Sequence, residues 1–293
     1  MNYQPLIDVD NVIADPSVLD PEYPPEHFVT HFRTNGEVVH ASLWIAQGKQ
    51  PKGTLVLAPQ MYGGDRLESL IIPLMNSGTS VLTFQPRGMW DGNGQHTLIS
   101  AMEDVNSAVE FLRTADERGQ RTPSGAGYRV DPSKIGVFGL SGGGGGVAMA
   151  SCAENDDVAF AIAMAPQNLE LIRDLAWLDQ PENSASMAEV TAETAGRVDI
   201  PKLLRGMREE DFDRLSIIAQ APRLARKKML LVGAAHDAGT PVEYHHVPIA
   251  KALQAAGAAG LTEVILDTDH LFLTKRVALA RLVVSWLRAE FDL

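Results

Sequence analysis

Three side chains, far apart in the sequence, have the types and settings needed to make one alcohol oxygen reactive: Ser141, Asp237 and His270. A serine hydroxyl is a poor nucleophile until an imidazole takes its proton and a carboxylate orients that imidazole. Ser141 lies in Gly139-Leu140-Ser141-Gly142-Gly143, which reads G-x-S-x-G. The motif sits between an apolar run, Ile135-Gly136-Val137-Phe138, and a helix-like run, Val147-Ala148-Met149-Ala150. A serine on a tight strand-to-helix turn holds its hydroxyl above the edge of a sheet. Flanking glycines admit the strained turn and a close backbone approach. The amide of Gly142 then points to where a carbonyl oxygen would gain charge. The bland alternative is a flexible glycine-rich loop, and the strand and helix signals on either side weigh against it.

In a parallel α/β sheet, reacting groups emerge from the carboxyl ends of strands. The strand read over 229–232 runs into Gly233-Ala234-Ala235-His236-Asp237, and the last strand, 263–266, into Asp267-Thr268-Asp269-His270. Asp237 could instead be a turn residue, given Gly239 and Pro241 nearby, and His270 a plain loop histidine. Asp267 and Asp269 are rival acids close to His270 in sequence, and His236 reads as a bystander. His245-His246, His27 and His31 lack the spacing of metal ligands and are expected at the surface. The run Gly142 to Gly146 is neither a P-loop, since no Lys-Ser or Lys-Thr follows, nor a G-x-G-x-x-G cradle. Five glycines at a helix start suggest a closely approached, dipole-rich site.

The elements that must position these groups read as follows. Residues 1–25 form an extended arm rich in Pro and Asp. Strands at 27–34 and 38–46 flank Asn35-Gly36, a hairpin signal. Alternation then begins, with strand 54–58, helix 67–76 containing Pro73, strand 80–85, and a helix opened by a capping box at Ser100 and Glu103. Strands follow at 135–138 and 159–165. Strands that are apolar throughout, alternating with helices, indicate a mainly parallel sheet covered on both faces, with the hairpin as an antiparallel edge. Residues 168–226 break the rhythm and read as a helical cap. Strand 228–232, helix 248–256, strand 262–266 and a final amphipathic helix complete the chain. The core is thus assigned to 26–167 and 227–293.

With its order of serine, acid and histidine on such a fold, the chain resembles the α/β-hydrolase superfamily. The resemblance covers about residues 26–291 and rests on G-L-S-G-G at 139–143, G-A-A-H-D at 233–237 and D-T-D-H at 267–270. Gln85-Pro86-Arg87-Gly88 looks like the family's Arg-Gly turn. The edge hairpin and Val130-Asp131-Pro132-Ser133-Lys134-Ile135 are similar to the dienelactone-hydrolase and prolyl-oligopeptidase-like branches. The resemblance implies an oxyanion loop after the third strand, where many relatives read His-Gly-x-x-Gly. This chain has Pro59-Gln60-Met61-Tyr62-Gly63 instead. Aligning Gly63 with the last glycine makes the amide of Met61 the second donor beside Gly142, with Gln60 as runner-up and the hydroxyl of Tyr62 as a further candidate. One such donor is worth about 3 kcal/mol of transition-state stabilisation.

The resulting expectation is a serine hydrolase acting on an ester or related acyl bond of a small molecule, with no cofactor and no metal. Leu171, Leu175, Trp177, Leu203 and Leu204 of the cap, and Trp90, are candidate pocket walls; gluing the cap down is the equal alternative for the cap residues. The same triad could act on a peptide, thioester or carbon–carbon bond, or the scaffold could be a non-catalytic binder. Net charge is −12, with 37 acidic against 25 basic residues, so neither nucleic acid nor an anionic membrane is an expected partner. A homodimer is compatible with the sequence. Cys152 reads as a small core residue. The first residues show no signal peptide and no apolar stretch reaches 18 residues, so a cytoplasmic protein is expected.

Overall fold

Asn35 and Gly36 take positive φ values of 47° and 85°, as a tight two-residue hairpin turn requires. They join β1 (Glu26–Thr34) to β2 (Glu37–Ile45) in antiparallel register. The computed structural model describes residues 15–16, 18–60, 67–89, 92–173, 179–181 and 200–291. The readings placed on Met61, Tyr62, Gly63, Trp90, Leu175, Trp177 and the first 14 residues lie outside these.

The remaining elements, in chain order, are β3 (Lys52–Leu57), α1 (Glu68–Asn76), β4 (Ser80–Phe84), α2 (Leu98–Thr114), β5 (Val130–Leu140), α3 (Val147–Glu154) and β6 (Phe160–Met164). Then come the short α4 (Glu170–Arg173), α5 (Ile200–Arg205), α6 (Glu209–Leu215), α7 (Ile217–Leu224), β7 (Lys228–Ala234), α8 (His246–Ala255), β8 (Leu261–Leu266) and α9 (Arg276–Phe291). The strands form one sheet in the order β1-β2-β4-β3-β5-β6-β7-β8. β2 meets β4 antiparallel, and every pair from β4 to β8 is parallel.

The sheet is apolar on both faces because helices cover both. On one face Val56, Val137, Ala161 and Leu231 pack with residues of α2, α3, α7 and α8. On the other, Leu55, Phe138, Ile162 and Leu230 pack with α1 and α9, where Trp286 lies against Phe160 and Phe291. Trp286 is buried with its indole N–H donated to Thr262 Oγ1 at 3.0 Å, so its polar end is satisfied as well as its ring.

Two expectations are corrected. The capping box of α2 is made by Thr97 and Ser100, not by Ser100 and Glu103. Thr97 Oγ1 accepts from Ser100 N at 2.9 Å and Ser100 Oγ from Thr97 N at 2.8 Å. Ser100 is therefore the third helical residue, and the helix begins one turn earlier. Residues 168–226 are also not a cap throughout. Phe212, Leu215, Ile217, Ala221 and Leu224 of α6 and α7 are buried in the same core as α3 and α8, so α7 is the crossover helix between β6 and β7.

The Arg-Gly turn after β4 is anchored to α2. Asp104, fully buried, accepts from Arg87 N at 2.9 Å and Nε at 2.6 Å, while Arg87 Nη2 reaches Glu103 and the Ser100 carbonyl. One Asp104 oxygen on the Arg87 main chain and the other on its guanidinium fix the residue's orientation as well as its position.

Candidate active site

Leu140 pairs with Met164 at the carboxyl end of β5, and Ser141 follows at once. Its φ is 66° and ψ −171°, a region normally reserved for glycine that costs a side-chain-bearing residue roughly 1–3 kcal/mol. The chain accepts this because the next five residues, Gly142–Gly146, wind as one π-type turn into α3. A Cβ on Gly139 would lie 2.4 Å from the backbone carbon of Gly144, and one on Gly144 would lie 2.9 Å from Ala58 O. Backbone thus packs on backbone beneath Ser141, holding its strained geometry. Gly142 opens the turn, where a helix start leaves N–H groups without intrahelical acceptors.

The sheet order puts the ends of β5, β6, β7 and β8 side by side. After β7 the chain is held to the end of β8 by Ala235 N to Leu266 O at 2.8 Å and His236 N to Thr268 O at 2.9 Å. The next residue, Asp237, turns inward and is buried. Its Oδ1 accepts from Gly239 N at 2.8 Å and Thr240 N at 2.7 Å, and its Oδ2 from Thr240 Oγ1 at 2.6 Å. His270 Nδ1 lies 2.6 Å from the same Oδ2. Because an ionised carboxylate only accepts, this contact sets the tautomer: Nδ1 carries the proton and Nε2 is left as the acceptor.

Burial raises the pKa of Asp237, but His270 and the Thr240 donors outweigh it, so the carboxyl lies below its ordinary value. Thr240 Oγ1 also sits 3.4 Å from Ala165 O, so the acid loop leans over the end of β6 toward Ser141. Among the described residues no hydrogen bond joins Ser141 to His270.

The structure therefore unites Asp237 with His270 and sets Ser141 on the same edge of the sheet. The rival acids are engaged elsewhere. Asp267 pairs with exposed His236 at 2.6 Å, and Asp269 accepts from the amides of Leu271 and Leu273. Gln60 follows β3, is 5% exposed, and among the described residues its Nε2 has no hydrogen-bond partner. It lines a cavity of about 300 Å³ with Leu57, Pro59, Phe84 and Gln85. Leu204 is buried in the core, and Leu203 packs against it. Cys152 is buried, and burial pushes its thiol up to about 12, leaving no nucleophile there.

His245 and His246 are not at the surface, contrary to expectation; each is 2% exposed. His246, Ile249, Ala250 and Leu253 share the buried face of α8, a spacing of three and four that the sequence does carry. His246 Nε2 meets Glu263 Oε1 at 3.1 Å. His245 Nδ1 accepts from Asn168 N at 3.0 Å, and Asn168 Nδ2 donates to Tyr244 O at 3.1 Å. Burial lowers the pKa of His245, Asp237 opposes and His270 adds to the lowering, which together leave it at about 4. His27 and His31 are exposed as expected, with His27 stacked on Trp44. Thr240 escaped the sequence reading, although Asp237-Ala238-Gly239-Thr240 is a sequence in which an aspartate caps its own turn.

No protein-family model matches the chain, and no curated protein does. Solved structures are similar to it in fold. A puromycin hydrolase superposes on 96% of the chain with a TM-score of 0.64 at 19% identity. An acylaminoacyl peptidase of Pyrococcus horikoshii covers 92% with a TM-score of 0.65 at 14% identity. The chain spans only 41% and 42% of those two proteins. An esterase of Pyrococcus furiosus matches 90% of this chain and 91% of its own, with a TM-score of 0.62 at 15% identity. The chain has the α/β-hydrolase fold, a mostly parallel eight-stranded sheet with an N-terminal antiparallel hairpin.

Proposed function

On this α/β-hydrolase fold, we propose a serine hydrolase that cleaves a carboxylic ester or related acyl bond of a small molecule. The observation that carries the proposal is the buried Asp237–His270 pair, which frees Nε2 as a base on the sheet edge where strained Ser141 stands. His270 Nε2 takes the proton of Ser141 as Oγ attacks the carbonyl carbon. Asp237 orients the imidazole and stabilises the imidazolium that forms. The Gly142 amide, with the Met61 amide as the expected second donor, holds the oxyanion. The proton then passes to the leaving group, and water repeats the sequence to release the acid. The base–nucleophile hydrogen bond is expected to tighten when substrate binds.

An esterase of nearly the same length supports the ester reading. Amide cleavage is the second reading, supported by the acylaminoacyl peptidase, which is more than twice as long. Residues between α4 and α6 are proposed as the cap. A fluorophosphonate probe tests the nucleophile: labelling should occur in the parent and vanish in Ser141→Ala. Parent protein that binds ligands but neither labels nor hydrolyses esters would make the chain a binder. A marked preference for aminoacyl amides over acyl esters would favour the second reading.

A further inference from the structure

Gln167 is a mostly buried side chain whose carboxamide is still open to solvent. It is 8% exposed, and its carboxamide makes no hydrogen bond among the described residues. An amide left with water as its partner at the rim of a site is free to exchange that water for a ligand group.

The backbone around it is held in place against strain. Ala165, just after β6, has φ of 43°, unusual for a residue with a Cβ. Its N–H is donated to Val232 O at 2.7 Å, and its carbonyl lies beside the Thr240 hydroxyl. On the other flank Asn168 is tied through its N–H to His245 and through its amide to Tyr244 O. One flank is therefore fixed by the loop that carries Asp237, the other by the entry to α8. Strain retained at a well-braced segment is a feature of functional sites.

Between these flanks the side chain lies on Gly142. A Cβ built on Gly142 would stand 2.6 Å from Gln167 Oε1 and 2.9 Å from Gln167 Cβ. Gly142 is the residue after Ser141, and its N–H is the proposed oxyanion donor. The unpaired carboxamide is thus next to the reacting centre, where a bound substrate can reach it.

We infer that Gln167 is a specificity-determining residue that hydrogen-bonds an acyl group bearing an amide or hydroxyl within one or two atoms of the scissile carbonyl. The inference rests on the serine-hydrolase reading. A carboxamide offers one acceptor oxygen and two N–H donors. Its complement is a group that both gives and takes hydrogen bonds, such as a secondary amide. A bare alkyl chain would bury it unpaired. The leaving atom must face His270 Nε2 to be protonated, whereas Gln167 lies against the oxyanion donor. The substituent beside Gln167 is therefore on the acyl side.

Two phenyl esters with the same leaving group test this, those of N-acetylglycine and of valeric acid. The parent should prefer the N-acetylglycine ester at least tenfold in kcat/KM. Gln167→Leu should cut that ratio tenfold or more, and Gln167→Glu, which keeps the shape but loses both N–H donors, should also lower it. Fluorophosphonate labelling of each variant reports whether its triad is assembled, so a variant that fails to fold is recognised and the other is used. A ratio that stays the same in a labelled variant overturns the inference alone. A parent that neither labels nor hydrolyses either ester overturns the serine-hydrolase reading and this inference with it.

Discussion

The Thr240 hydroxyl and the His270 imidazole bind the same oxygen of Asp237, each at 2.6 Å. The other oxygen takes two backbone amides, so the carboxylate cannot rotate away from the histidine. Thr240→Val removes one of these bonds, and a hydrogen bond to a charged group is typically worth about 1.5 kcal/mol or more. It should lower kcat for a phenyl ester about tenfold, while Thr240→Ser should retain most of the activity. Steady-state hydrolysis of the two variants provides the comparison.

Asp237→Asn is isosteric but removes the charge that selects the Nδ1-protonated tautomer. A loss in kcat of about 10⁴ is expected, with the fold intact by circular dichroism. A loss of less than tenfold would point to Asp267 or Asp269 as the working acid.

Buried His245, with its pKa lowered to about 4, makes stability depend on pH. The unfolded chain takes up a proton near pH 6.5, while the folded one resists until about pH 4. Between these values the unfolded state binds more protons, so stability falls as pH falls, by at most about 3 kcal/mol from this residue. His246, also lowered by burial, acts in the same direction. Melting temperatures measured from pH 7 to 4 should decline, and His245→Gln should flatten the slope. Asp237, depressed below its ordinary value, loses its contribution only at more acidic pH, beneath this window.

Gly139 and Gly142 should respond differently to alanine. At Gly139 the new methyl meets the Gly144 backbone at 2.4 Å, which cannot move aside, so Gly139→Ala should yield little folded protein. At Gly142 it meets Gln167 Oε1 at 2.6 Å, which can swing away, and Gln167 Cβ at 2.9 Å, which must shift by a few tenths of an ångström. Gly142→Ala should fold and show a reduced preference for the N-acetylglycine ester. Soluble yield and the ester ratio distinguish the two.

Asp104→Ala leaves the Arg87 guanidinium buried with only Glu103 as its carboxylate partner. Removing one member of a buried pair costs about 3–5 kcal/mol, so the melting temperature should drop by roughly 6 °C or more.

Much of this architecture could be read from residues alone, because the pattern that specified it is local. Apolar strands such as 160–164 alternating with helices specify a covered parallel sheet. Strand-to-loop junctions located Ser141, Asp237 and His270, and the structure pairs the last two. What escaped depends on partners distant in sequence. The pair His245-His246 looks polar until α8 docks on the sheet and turns both inward. The bracing of Gln167 needs Val232, Thr240 and Tyr244, more than 60 residues on. The α2 cap was displaced by one turn because Thr97 and Ser100 both suit an N-cap, and only the helix phase chooses between them.

The floor under Ser141 contains almost no adjustable volume, since Gly139, Gly144 and Ala58 O meet main chain to main chain. A mutant library seeking new substrates has little to vary there without losing the nucleophile. Productive diversity is confined to the walls, with Gln60 on the β3 side and Gln167 on the β6 side as its first two positions.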